Sequence, residues 1–152
     1  MAVSQSGLFV ATWIADWTAN SQINLDLETH KVALVTNAST PNFSAAQAAA
    51  AYGNAQFTEV SGAGYTAGGA LLTSTTVTES PASVIMFDAA DVSWASSTIT
   101  GARAALIYAD AITTPVADPA IALINFGADY STNNGTFTIQ WAATGIFTWD
   151  VY

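Results

Sequence analysis

Two runs in the second half of this 152-residue chain, Ala104-Ala105-Leu106-Ile107-Tyr108 and Ala120-Ile121-Ala122-Leu123-Ile124, are apolar throughout. A β-strand sends successive side chains to opposite faces of its sheet, so neither run has a face to offer to water. The sheet they build needs cover on both sides, from a second layer or from helices and a neighbouring copy. Elsewhere one face suffices: Phe137, Ile139 and Trp141 alternate with Thr136, Thr138 and Gln140.

Strand-forming stretches rich in Thr, Val, Ile and aromatics fall at 71–78, 84–87, 98–108, 120–126, 136–141 and 146–151, separated by Gly, Pro, Asn and Asp clusters. No helical connectors lie between them. Parallel strands need long crossovers, so antiparallel pairing is expected.

The first fifty residues read differently. Ser4 or Ser6 with Gly7 is placed to cap a helix over 8–18, which Asn20 and Ser21 end. Phe9, Trp13 and Trp17 are spaced by four and predict one aromatic stripe, to be buried on the domain's own sheet or on another subunit. From Ile23 the period falls to two: Ile23, Leu25 and Leu27 alternate with Asn24, Asp26 and Glu28, and with the run 32–35 beyond a turn at Thr29-His30 they predict a hairpin. A loop over 37–42 leads to a short alanine-rich helix over 44–51, capped by Ser44, ended by Gly53 and lying against the body of the domain. The expected fold is mainly β: a single antiparallel β-sandwich-like domain over 1–152, with an N-terminal α-helical segment at 1–20 and a β domain at 21–152 holding the short helix.

Chemistry is harder to place, because the chain has only two basic residues, Lys31 and Arg103, one histidine, His30, and no cysteine. Disulfides, redox chemistry and thiolate–zinc sites are excluded. Eleven carboxylates leave a formal charge of −9, which repels nucleic acid and anionic lipid. No run reaches the ~18 apolar residues of a membrane helix. The apolar opening 8–15 has no Lys or Arg before it and is broken by Asp16, so neither a signal peptide nor a membrane partner is expected.

Each candidate site has a simpler reading. Asp129, Ser131 and Asn133 have the one-three-five spacing of a calcium loop, but Asn134 stands where that loop needs Gly and Gln140 where it needs a bidentate Glu. Asn134-Gly135 instead predicts a hairpin turn. Asp88 and Asp91, close enough in sequence to suggest an acid–base pair, have no basic partner nearby and read as turn residues. His30 is expected at the surface, with no triad pattern around it. The segment Gly64-Tyr65-Thr66-Ala67-Gly68-Gly69 lacks the lysine of a phosphate loop and reads as a bend where backbones approach closely. Asn37, Asn42 and Asn134 head glycosylation triplets unsupported by a secretion signal. Catalytic, cofactor-binding and metal-binding residues are all expected to be absent. A non-enzymatic structural or binding protein remains.

The segments Lys31-Val32-Ala33-Leu34-Val35-Thr36, Gly62-Ala63-Gly64-Tyr65-Thr66-Ala67-Gly68-Gly69, Asp88-Ala89-Ala90-Asp91-Val92-Ser93-Trp94 with Ser97-Thr98-Ile99-Thr100, Asn125-Phe126-Gly127 and Gly135-Thr136-Phe137-Thr138-Ile139-Gln140-Trp141 span most of the sequence. Through them the chain resembles a family of small tailed-bacteriophage structural proteins. It departs from that family between Phe43 and Phe57, where Ala45 to Ala51 replaces a more acidic and aromatic stretch, and at Gly101-Ala102-Arg103, where Ala-Arg-Gly is common. The resemblance implies a particle component without catalysis, made in the host bacterial cytoplasm. The role expected is a capsid decoration, or cement, protein on the outer surface of the virion head, with the major capsid protein as partner. By analogy with other decoration proteins it would be a homotrimer. The expected contact surface is the stripe of Phe9, Trp13 and Trp17 or the alanine-rich segment with Ala45 and Ala48. A tail- or fibre-associated component is the alternative within the virion, and a carbohydrate-binding module using Trp141 or Trp149 is the alternative outside it.

Overall fold

A computed structural model describes residues 2–18, 23–26, 29–80 and 83–150. Its elements are β1 (Gly7–Leu8), α1 (Val10–Trp17), β2 (His30–Thr36), a 3-10 turn (Gln47–Ala49), β3 (Ala70–Leu71), β4 (Thr76–Ser80), β5 (Val84–Asp88), β6 (Val92–Ser97), β7 (Ala102–Ala109), β8 (Ala120–Tyr130), β9 (Gly135–Ile139) and β10 (Phe147–Asp150). Every strand pairing is antiparallel. The protein is a mainly β, sandwich-like domain with one N-terminal helix. No helix among the described residues is long and apolar enough to cross a membrane.

The two doubly apolar runs lie side by side in a five-stranded sheet ordered β1-β8-β7-β2-β3. Leu34 opposite Ala105 and Val32 opposite Ile107 put one set of side chains on the first face. They pack against Phe87, Val92, Trp94, Phe137 and Ile139 from a three-stranded sheet (β10-β5-β4) and a two-stranded sheet (β6-β9). Val35, Ala104, Leu106 and Leu123 occupy the second face, beneath Val3, Phe9, Phe43, Ala50 and Phe57. Both faces are thus covered from within one chain. Each fully buried Leu or Ile there contributes about 1.5–3 kcal/mol relative to exposure.

A bulge adjusts the two faces. Ile107 pairs with Ala122 but Tyr108 with Ala120, so Ile121 is an extra residue in β8. Ile121 therefore joins the first core while Ala120 joins the second.

Several expectations are corrected by how strand edges are used. The helix begins at Val10 with Phe9 as N-cap and no side-chain cap bond. Gly7 and Leu8 instead pair with Leu123 and Ala122, and Ser6 Oγ accepts the Asn125 amide at 2.9 Å, because the edge of β8 needs a partner. Asn20 and Ser21 lie outside the described residues. The predicted hairpin does not form: one edge of β2 is taken by β7, and the other by β3 and by Glu59, which bridges to Val35. Residues 23–26 run as loop and turn, and Leu27 and Glu28 lie outside the described residues. The alanine-rich helix shrinks to the 3-10 turn, with Ala46 and not Ser44 at its N-cap. A helix this short has little of its own to hold it, and Ala50 and Ala51 turn away to bond Ala120 and bridge Pro119. Stretch 71–78 splits between two sheets, and 98–108 is strand only from Ala102. Asn134, at φ +50°, makes no hairpin either, since among the described residues β8 pairs with β7 and β1 whereas β9 pairs only with β6. It turns a corner between sheets.

Candidate functional site

Phe9, Trp13 and Trp17 do not share a face. Phe9 stands just before the helix in extended backbone and is fully buried in the second core, 5.0 Å from the Phe43 ring and 5.7 Å from Phe57. Trp13, inside the helix, drops into the first core, with ring centroids 5.0 Å from Trp149 and 6.0 Å from Phe147. Trp17 is left in solvent at 73% exposure, its ring 6.5 Å from Trp13. Phe9 and Trp13 therefore hold the helix down and are corrected from contact residues to core residues.

A second stripe takes their place. Val10 and Ile14 are 50% and 55% exposed, and with Trp17 they follow the i, i+4, i+7 spacing that aligns side chains along one helix face. The signal was in the sequence but stood beside the larger aromatics. At its N-terminal end the stripe adjoins the alanine-rich segment, since the Val10 amide donates to the Phe43 carbonyl at 3.0 Å. Ala45 is half-buried against the second core and Ala48 is exposed. Trp17 and Ala48 are thus the expected contact residues that solvent reaches freely.

Both basic residues are engaged: Lys31 Nζ lies 3.0 Å from Asp110 and Arg103 3.4 Å from Asp129. No group of three or more His, Asp or Glu side chains among the described residues is placed to hold a metal ion. Asp91 accepts the Trp141 amide at 3.0 Å, and the Trp141 indole donates to the Ala90 carbonyl at 3.1 Å. The 88–91 turn is thereby fastened to the strand end, a role its sequence half revealed. Trp141 and Trp149 are half-buried against the first core, which makes them poor sugar platforms.

His30 is a plain correction, being 2% exposed. It faces the Phe87 ring edge-on at 6.4 Å, and Nε2 donates to the Asn24 carbonyl at 2.8 Å. Burial lowers its pKa below 6.5, opposed by that hydrogen bond.

No sequence pattern pointed to the polar knot at Glu59. Its carboxylate accepts from Tyr52 (2.7 Å), Tyr65 (2.6 Å) and the Gly68 amide (2.8 Å). Tyr65 in turn accepts the Leu34 amide at 2.9 Å, and the Tyr52 and Tyr108 rings stack at 4.4 Å. Burial, then the bond to Glu59, pushes the Tyr52 phenol up to about 12, and burial raises Tyr65 and Tyr108 further. These phenols stay protonated donors, which suits a clasp and not a proton shuttle. The knot pins the glycine-rich bend, where a Cβ on Gly69 (φ +75°) would collide with the Val32 carbonyl.

In comparisons with known proteins, the chain matches no family model, no curated protein and no solved structure.

Proposed function

We propose that this protein is a non-catalytic structural component of a tailed-phage particle, and that it decorates the outside of the head by docking on the major capsid protein. The observation that carries the reading is the exposed apolar stripe of Val10, Ile14 and Trp17 on α1. Exposed apolar patches mark interaction sites, and tryptophan is among the residues that most often carry an interface's binding energy. The sequence resemblance supplies the partner. The charge of −9 agrees with a place outside the shell, away from the genome.

Synthesis in the host bacterial cytoplasm and assembly onto the virion follow from this reading, as does a homotrimeric state. The doubly apolar strands no longer argue for self-association, because one chain covers both of their faces. The trimer now rests on analogy with other decoration proteins.

The test adds purified protein to undecorated heads and images them. Saturable labelling at symmetry-related head positions, lost in Trp17→Ser, is the expected result. Labelling confined to tails moves the protein to the tail- or fibre-associated alternative. No labelling of either structure rejects the virion reading.

A further inference from the structure

On another part of the surface, the end of β8 and the strand β9 wall a shallow groove of about 440 Å³, within the usual range of small-molecule sites. Phe126, Tyr130, Thr132, Thr136, Thr138 and Gln140 are among its lining, which contains no charged side chain. That neutrality stands out on a chain of charge −9.

The apolar part of the groove is rigidly backed. Tyr130 is 51% exposed, and its ring meets Phe126 at 6.2 Å; Phe126 meets buried Phe137 at 6.2 Å, and Phe137 meets Trp94 at 6.0 Å. A half-exposed tyrosine ring therefore stands at the end of a chain of rings rooted in the core. The polar part comes from β9 and the residue that follows it: Thr136, Thr138 and Gln140 are exposed while Phe137 and Ile139 between them are buried. Alternation places Thr136 and Thr138 on one side of the strand, about 6–7 Å apart, and Gln140 continues from its end along the groove. The other edge of β9 has no strand beside it among the described residues.

The rim is preorganised. Ser131 Oγ accepts the Gly101 amide (2.9 Å), Thr132 exchanges backbone and side-chain bonds with Ile99 (2.8 and 3.1 Å), and the Asn134 amide donates to Thr98 Oγ1 (3.1 Å). A ligand entering here would pay little to order the loop.

A charged ligand would find no counter-charge in such a groove, and a purely apolar one would strand the hydroxyl and amide groups along β9 without partners. A pyranose satisfies both demands, with a C–H face to lie on a ring and hydroxyls around its edge. We propose that the groove binds a neutral pyranose oligosaccharide, with Tyr130 as stacking face and Thr136, Thr138 and Gln140 as hydrogen-bonding groups. This site is separate from the α1 stripe and does not depend on the head-binding reading.

The test is an amide chemical-shift titration of the full chain with cellobiose, lactose, chitobiose and sialyllactose, each taken to roughly 10 mM, enough to approach saturation of a site with a Kd of about 1 mM. At least one neutral sugar should give saturable shifts centred on residues 130–140. Tyr130→Ala should weaken that sugar about 10-fold, the value of one aromatic contact, with Tyr130→Trp retaining it. Gln140→Ala should also weaken it, and Thr148→Ala, on the three-stranded sheet, should not. The proposal fails if no neutral sugar gives saturable shifts, if the shifts map elsewhere, if sialyllactose binds more tightly than every neutral sugar, or if a folded Tyr130→Ala protein binds unchanged.

Discussion

The imidazole of His30 and the backbone carbonyl of Asn24 are joined by a 2.8 Å hydrogen bond that fixes which ring nitrogen carries the proton. A carbonyl only accepts, so Nε2 is the donor, and buried Nδ1 is left as a lone pair without a partner among the described residues. Protonation would turn Nδ1 into a buried donor with nothing to bond. Because the folded pKa lies below the unfolded value of 6.5, the unfolded chain takes up the proton first. The neutral ring's stability is full above that value and is lost as pH falls through it. Thermal melts at about pH 7.5 and about pH 5.5 should show a drop in Tm that is smaller in His30→Gln, which keeps an N–H for Asn24 but does not titrate.

Two tryptophans four residues apart should behave oppositely. Trp13→Ala removes a ring wedged between Trp149 and Phe147 and should cost about 3–5 kcal/mol in urea unfolding. Trp17→Ser, at an exposed position, should change stability by no more than about 0.5 kcal/mol while abolishing docking to heads. A Trp17 variant that unfolds as readily as Trp13→Ala would show that the outer ring is structural.

Tyr65→Phe strands the Leu34 amide in the middle of β2 and removes one of three donors to Glu59. The expected loss is about 2–3 kcal/mol by denaturant titration. Tyr52→Phe removes a donor to the same carboxylate but leaves no backbone group unpaired, so its loss should be smaller, about 1 kcal/mol. Equal losses would mean that the Leu34 amide finds another acceptor.

Asp118 sits in left-handed backbone at φ +50°, with its pKa raised first by burial and then by the Asp110 carboxylate, against the pull of Lys31. A raised folded pKa makes the charged form costly, so stability is lost as pH rises through that pKa. Asn tolerates the left-handed region and carries no charge. Asp118→Asn should therefore raise Tm at neutral pH, and the gain should shrink toward acid pH as the native carboxyl protonates.

How far the sequence could be read depended on whether a pattern answered to local geometry or to distant chain. The runs at 104–108 and 120–124 demanded two covered faces and have them, and the N-terminal helix lies where its aromatics indicated. The shared stripe failed at both ends, with Phe9 outside the helix and Trp17, its last residue, left 73% exposed. Phe9 has extended backbone (φ −84°, ψ 103°), so its side chain follows the strand before it and not the helix after it. The period-two segment after Ile23 was misleading because strand competence says nothing about whether an edge is free. Glu59 and the Tyr130 groove were invisible for a related reason: each joins residues through sheet corners and bulges that no local pattern encodes.

The pairing of β2 with β7 sets Val32 opposite Ile107 and leaves most of the intervening chain to be threaded before that ladder can close. Closing a long loop costs entropy that no contact within it repays in advance, and folds built on such pairings are slow. During synthesis the apolar strand beginning at His30 must wait, without its principal neighbour, until the ribosome has delivered residues beyond 100. The interval in which a nascent chain of this protein is most exposed to aggregation and chaperone capture is thus written into the order of its strands.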